Sequence, residues 1–411
     1  MMVKSYEKQD VSRFIKRLIT NRTQITSYYR RIHSPPLQNM RILQITPYYL
    51  PHTGGIERYV YNLAQHLTKN GHTVDIATAN VPESSVKETQ NNTTIFRYPL
   101  LCSLLGNPIV TNLSDLRSRL EEYDIIHIHG VYTYIALRTV LSLGKKHRQK
   151  VILTHHGRVV YTNRLKNLFV KIYEQVFVRF ILKRLDHAVV LSKSDKEQFV
   201  SLGMNADSIS IIPNGIDISV FSKPNDNELA SFRQKYQLQG KSVVLFLAVI
   251  SERKGIFDLL QAFRNVEEDN TCLLVVGDGP DKLRAVSLVD SLGISERARF
   301  VGRLPFSEIL CAYSVANLYV LPSYFEGMPT TVMEALVMGC PVLASDIPGV
   351  GDNFQDVVTL VPPHNRDELV KSISSMLLNP SVVDSVNLRK KYDAKNVFER
   401  YSEIYPVNDN E

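Results

Sequence analysis

The sequence predicts an α/β protein built from two doubly wound domains that face each other across a cleft. Three observations lead there. The chain has 411 residues, beyond the roughly 250–300 at which one hydrophobic core stops growing. From Met40 onward, short β-branched runs alternate with stretches of helical periodicity, as in a layered, mainly parallel sheet. That alternation stops once, at the turn-rich Pro213-Asn214-Gly215-Ile216-Asp217 and the polar stretch Ser222–Glu228, and then starts again.

In the first half the expected strands are Arg41–Thr46, Thr73–Thr78, Thr94–Tyr98, Asp124–His129, Val151–His155, His187–Leu191 and Ser210–Ile212. In the second they are Val243–Val249, Cys272–Val276, Arg299–Val301, Leu318–Leu321, Val342–Ala344 and Val357–Leu360, with helices near 255–266, 279–292, 306–314, 330–339 and 365–378. The implied division is a basic extension (1–38), a first domain (39–215), a linker (216–240), a second domain (241–381) and a charged helical segment (382–411) expected to cross back to the first domain. Ligands of such sheets sit at the carboxyl ends of strands, so two facing domains place a site between them.

Composition narrows the classes. With 44% hydrophobic residues, the chain is neither disordered nor fibrous. No run approaches the ~18 apolar residues that span a bilayer, and Lys16 and Arg17 interrupt the only apolar patch near the start. Cys102, Cys272, Cys311 and Cys340 show no CxxC spacing, which suits reduced thiols and a cytoplasmic protein. The net charge of +7 is concentrated at the N-terminus, where residues 1–38 hold eight basic and two acidic side chains. A nearly neutral remainder with no Trp disfavours a nucleic-acid partner and leaves a basic appendage for anionic surfaces.

The most informative stretch runs from Leu321 to Leu336. A strand ends at Leu321, a loop carries Glu326, and Pro329 suits the first turn of the helix that holds Glu334. Residues Gly327, Met328, Thr330 and Thr331 then present backbone N–H groups at a helix N-terminus, where an anion such as phosphate is favoured. Two carboxylates eight residues apart can reach different ends of a phosphate-bearing ligand, and sugar hydroxyls suit charged acceptors. Read alone, Glu326 is equally a surface loop residue and Glu334 a solvated helix position.

The Glu326-x7-Glu334 spacing, with Pro322-Ser323 before it and Gly339-x-Pro341-Val342 after it, resembles the donor-site signature of family 4 glycosyltransferases, which have the GT-B fold of two Rossmann-like domains. Gly54-Gly55-Ile56-Glu57, Thr154-His155-His156-Gly157, Pro213-Asn214-Gly215-x-Asp217, Lys254-Gly255 and Val276-Gly277-Asp278-Gly279-Pro280 follow the family's order over about residues 40–380. The resemblance implies that Glu326 approaches the hydroxyls of a donor sugar, Glu334 the nucleotide ribose and Lys254 the diphosphate. Backbone N–H groups of Met328, Thr330 and Thr331 would lie near sugar and phosphates, Gly54 and Gly55 would admit the diphosphate, His156 would flank the transferred sugar and Arg303 the base. It further implies retention of anomeric configuration.

One departure stands out. The family usually has Gly-Arg-Leu before Lys-Gly, whereas this chain has Ala248-Val249-Ile250, so Val249 replaces the expected arginine and Arg253 is the candidate substitute. No Asp-x-Asp triplet occurs, so no metal cofactor is expected and a nucleotide-sugar is the co-substrate. The function expected is metal-independent transfer of a hexosyl-type sugar to a saccharide or lipid-linked acceptor. A catalytically silent sugar-nucleotide-binding protein, prompted by Val249, and a GT-B-like epimerase or phosphorylase are the alternatives. Between Asn163 and Leu185, apolar residues recur at helical spacing among basic ones. A core-packed helix explains that stripe most simply; a basic amphipathic face on an anionic membrane is its rival.

Overall fold

The computed structural model describes residues 39–52, 54–104, 106–144, 147–159, 164–268 and 270–405. The basic N-terminal segment lies outside the described residues. From Arg41 the chain forms two lobes, each with its own parallel sheet.

The first lobe contains β1 (Arg41–Ile45), β2 (Thr73–Ala79), β3 (Lys87–Gln90), β4 (Thr93–Tyr98), β5 (Leu100–Leu104), β6 (Asn107–Val110), β7 (Ile125–His129), β8 (Lys150–Thr154), β9 (His187–Val190) and β10 (Ile209–Ile211). Its eight-stranded sheet has the order β10-β9-β8-β7-β1-β2-β4-β3, parallel throughout except for β3 against β4. The second lobe contains β11 (Ser242–Leu247), β12 (Thr271–Val276), β13 (Ala298–Gly302), β14 (Leu318–Leu321), β15 (Val342–Ser345) and β16 (Thr359–Val361), ordered β13-β12-β11-β14-β15-β16 and wholly parallel. Strand order reverses between β7 and β1 in one sheet and between β11 and β14 in the other. At such switch points successive loops leave in opposite directions and open a crevice.

The central strands are buried on both faces, which is why β12 and β14 read as unbroken apolar runs rather than alternating ones. Each fully buried Val, Leu or Ile contributes roughly 1.5–3 kcal/mol, and the second lobe carries an apolar cluster on either side of its sheet. In the first lobe one face buries Ile126 and Ile128. The other turns His127 toward the C-terminal residues Tyr401 and Tyr405 and His129 toward Tyr59 and His156. The chain passes between lobes at two adjacent points: Ile216 N donates to Tyr392 O and Ala394 N to Ile216 O, both at 2.9 Å.

Three sequence readings change. The 216–240 linker is too long, because Asp226–Lys235 is a helix closed by an Asn225/Glu228 capping box and anchored in the second lobe by Phe232. Only Phe232 is buried in that helix, too weak a stripe to stand out from polar neighbours. The hairpin β5–β6 and strand β3 went unread, since β3 and β5 bury no face and β6 alternates over only four residues, Asn107–Val110. The core-packed reading of the 163–185 stripe holds for Ile181 and in part for Tyr173 and Phe180, but fails for Leu165, Leu168, Phe169, Ile172, Val176 and Phe177, all exposed, Phe169 to 69%.

Candidate active site

The loops after β11 and β14 meet at the second lobe's switch point. Gly255 makes this possible: its φ is +73°, and a Cβ there would stand 1.9 Å from Pro322 O, a clash only glycine avoids. The close approach sets Lys254 against the loop of Glu326. Lys254 Nζ donates to Glu326 Oε1 at 2.5 Å, and Ser323 Oγ donates to the same oxygen at 2.6 Å. Both side chains of this ion pair are largely buried. A buried pair is costly to break from one side, since the survivor keeps its charge without a partner.

Arg253 grips the same loop twice. Its Nη1 donates to Phe325 O at 2.9 Å, and its carbonyl accepts from Tyr324 N at 2.9 Å. Val249, by contrast, is 54% exposed. Arg303 is exposed at the carboxyl end of β13.

The helix Thr330–Val337 begins after Pro329, whose backbone is extended. Its first turn leaves N–H groups without intrahelical partners. Thr331 Oγ1 lies 2.7 Å from the Tyr319 hydroxyl. Glu334 is buried one turn on and accepts from the Tyr313 hydroxyl at 2.9 Å. Burial raises its pKa, while the Tyr313 hydrogen bond and the charge of Arg58 oppose the rise.

Arg58 comes from the other lobe. The helix Gly55–Lys69 starts where Gly54 and Gly55 end the loop after β1, and no atom stands within 4 Å of where a Gly55 Cβ would be. Gly54, Gly55 and Arg58 then face Thr330, Glu334 and Asn214 around a cavity of about 630 Å³, a size suited to a small-molecule ligand. Lys254, Glu326 and His156 lie outside that lining. They are tied to it through Gly327 and Met328. A Cβ on Gly157, which has φ +104°, would stand 2.6 Å from Gly327 Cα, so the histidine turn of one lobe touches the Glu-Gly turn of the other. Asn214 Nδ2 donates to Met328 O at 3.2 Å and Asn214 N to Met328 Sδ at 3.1 Å.

His155 is fully buried against Phe199 and Tyr132, while His156, on the opposite face of the strand's continuation, stacks beside His129 and meets the edge of Tyr59. Burial lowers the pKa of His127, His155 and His156 to about 3, and that of His129 well below its usual value. All four rings are neutral near pH 7. Arg58, Tyr313 and His129 were missed in the sequence. Arg58 carried a signal, standing one helical turn past Gly54-Gly55, whereas Tyr313 and His129 sat in stretches that read as plain helix and strand.

Two family models match the chain side by side: Glycosyltransferase Family 4 over residues 53–220 and Glycosyl transferases group 1 over residues 230–396. The chain belongs to the family 4 glycosyltransferases. It is a transferase enzyme with the GT-B fold. This transferase is 23% identical to a phosphatidylinositol N-acetylglucosaminyltransferase subunit of Arabidopsis thaliana, over 90% of the chain and 82% of the relative. It is 25% identical to alpha-monoglucosyldiacylglycerol synthase of Acholeplasma laidlawii, over 87% of the chain and 93% of the relative. The structure of HepE from Anabaena in complex with UDP and glucose superposes with a TM-score of 0.70 at 16% identity, covering 89% of this transferase and 99% of that chain.

Among the described residues, no three His, Cys, Asp or Glu side chains stand together as metal ligands, and no helix is long and apolar enough to cross a membrane.

Proposed function

We propose that this glycosyltransferase moves a hexosyl-type sugar, with retention and without a divalent ion, from a nucleoside-diphosphate sugar to a lipid-linked or saccharide acceptor. The observation that carries the reading is the cleft itself, where glycines and Arg58 of one lobe oppose a helix N-terminus and a buried carboxylate of the other. Departure of the nucleotide places negative charge on the diphosphate. Lys254, the first-turn N–H groups of Thr330–Val337 and the nearby Arg253 and Arg58 are the fixed positive groups able to meet it. The ribose hydroxyls suit Glu334, a buried acceptor with capacity beyond its Tyr313 bond. Glu326 spends one oxygen on Lys254 and Ser323, leaving the other for sugar hydroxyls. No side chain is assigned as covalent nucleophile; direct attack by the acceptor on the donor-bearing face accounts for retention. Apposition of the lobes at Gly157 and Gly327 keeps water from competing with the acceptor.

A lipid-linked acceptor is supported by the exposed apolar row Leu165, Leu168, Phe169, Ile172, Val176 and Phe177 with the exposed basic residues Lys171, Arg179 and Lys183 on the same segment. The hairpin β5–β6 adds exposed Leu101 and Leu104, and Asn107 beside them donates to Tyr132 O, whose side chain bonds Glu174 of that segment. Apolar side chains ringed by cations suit an anionic bilayer surface. Two relatives named above carry a lipid in their names.

Purified protein incubated with UDP-, GDP- and ADP-sugars, vesicles containing anionic phospholipid and EDTA tests the reading. Transfer of label to a lipid product with retained configuration is expected. Isomerised nucleotide-sugar without acceptor would make it an epimerase, a strict need for inorganic phosphate a phosphorylase, and donor binding without turnover a silent binder.

A further inference from the structure

His129 lies on β7 with its side chain on the same face as His127, two residues before it, and among the described residues its side chain makes one hydrogen bond: its Nδ1 stands 3.2 Å from His156 Nε2. Its other ring nitrogen, Nε2, is buried with no partner among the described residues. The ring is fully enclosed, with His127 at 4.3 Å, Tyr59 at 6.1 Å and His156 at 5.4 Å between centroids. In a neutral imidazole one nitrogen carries hydrogen and the other a lone pair. Two arrangements satisfy the contact. If His156 Nε2–H donates, then His129 must carry its own hydrogen on Nε2, a buried N–H with nothing to receive it. If His129 Nδ1–H donates, the unpartnered atom is a bare lone pair. Orphaned buried N–H groups are the rarer and costlier case, so the second arrangement holds.

We infer that His129 is a positioning residue that fixes His156 as the Nδ1–H tautomer, so that the His156 ring keeps a hydrogen-bond donor at Nδ1 and no free lone pair. Its Nε2 lone pair is occupied by His129, and its Nδ1 bears the hydrogen. Neutrality of both rings is held by burial, so the arrangement persists across the physiological range. His156 in this state cannot accept a proton from an attacking hydroxyl. It can donate to an oxygen of the bound sugar, a consequence that rests on the proposed function, whereas the tautomer itself does not.

Two-bond proton–nitrogen correlations on the full chain labelled with ¹⁵N-histidine, with His156 assigned by its absence in His156→Gln, read the tautomer directly. His156 is expected in the Nδ1–H form from pH 6 to 8; the Nε2–H form would overturn the inference. In His129→Leu the Nδ1–H preference should disappear and the donor KM should rise about tenfold with kcat changed less, the scale of one neutral hydrogen bond. His129→Asn, whose side-chain nitrogen can take the place of Nδ1, should restore both. An unchanged His156 tautomer in His129→Leu would contradict the positioning role. A changed tautomer with unchanged donor KM would leave that role standing and count against contact between His156 and the donor.

Discussion

The two lobes meet the cleft with opposite chemistry. The second presents charge: the Lys254–Glu326 pair, the Glu334 carboxylate and the first turn of Thr330–Val337. The first presents neutral imidazoles and bare backbone, with Arg58 as the charged group reaching the cavity. On the proposed function each end of the ligand meets both lobes, the diphosphate between Arg58 and Lys254 and the transferred sugar between His156 and Glu326. The division explains why each lobe tolerates burial differently. The cationic site is stabilised by pairing, the histidine face by keeping its rings unprotonated.

The largest effect should come from the charged side. Lys254→Ala should lower kcat/KM about 10²–10³-fold, as loss of one electrostatic partner of a leaving group does. It should also destabilise the fold by about 3–5 kcal/mol, because Glu326 would be left buried and unpaired. His156→Ala should cost only about tenfold in kcat/KM. Steady-state kinetics with denaturant unfolding would test both, and equal losses would erase the asymmetry between lobes.

Gly157→Ala probes the seam between the lobes. A methyl 2.6 Å from Gly327 Cα must hold them apart, and kcat should fall about 10²-fold through misplacement of the reacting groups, with donor binding changed less. Hydrolysis of the donor should rise relative to transfer.

Acid should separate the lobes next. His155 has a folded pKa of about 3 against a usual 6.5. A depressed value means that the stability from keeping this ring neutral is fully present above pH 6.5 and lost as pH falls toward 3, at up to ~1.4 kcal/mol per pH unit. His127 and His156 add the same sign. His155→Leu should therefore gain about 2 kcal/mol of stability at pH 5 relative to its effect at pH 7. A pH-independent difference in urea midpoints would count against it.

The smallest effects concern Glu334 and Val249. Burial raises the Glu334 pKa, so the folded state loses stability as pH climbs through that raised value. Glu334→Gln should leave Tm unchanged or higher at pH 8 while weakening nucleotide binding roughly tenfold, the scale of a charged hydrogen bond. Val249→Arg should improve donor affinity no more than about threefold if Arg253 already supplies the missing charge, with calorimetry as the check.

Much of this division could be read before any coordinates. The strands betray themselves through β-branched runs, Glu326 and Glu334 through the loop and helix that follow Leu321, and Lys254 through the family resemblance alone. What escaped reading escaped for physical reasons. The Lys254–Glu326 pair depends on Gly255 nesting under Pro322, a contact between loops 67 residues apart, and no local pattern encodes it. His129 looked like a strand residue because its partner, His156, is on the neighbouring strand's continuation. The exposed row from Leu165 to Phe177 has the periodicity of a buried helix, and periodicity reports that a face is apolar, not what covers it.

The most direct measurement is calorimetric titration of the wild-type and Lys254→Ala proteins with UDP, GDP and ADP, each in EDTA and in excess magnesium. One nucleotide should bind the wild type with Kd unchanged within about twofold by the metal, and Lys254→Ala should bind it at least tenfold more weakly in both conditions. Binding that appears only with magnesium, or that ignores the loss of Lys254, would contradict a diphosphate held by fixed protein charge.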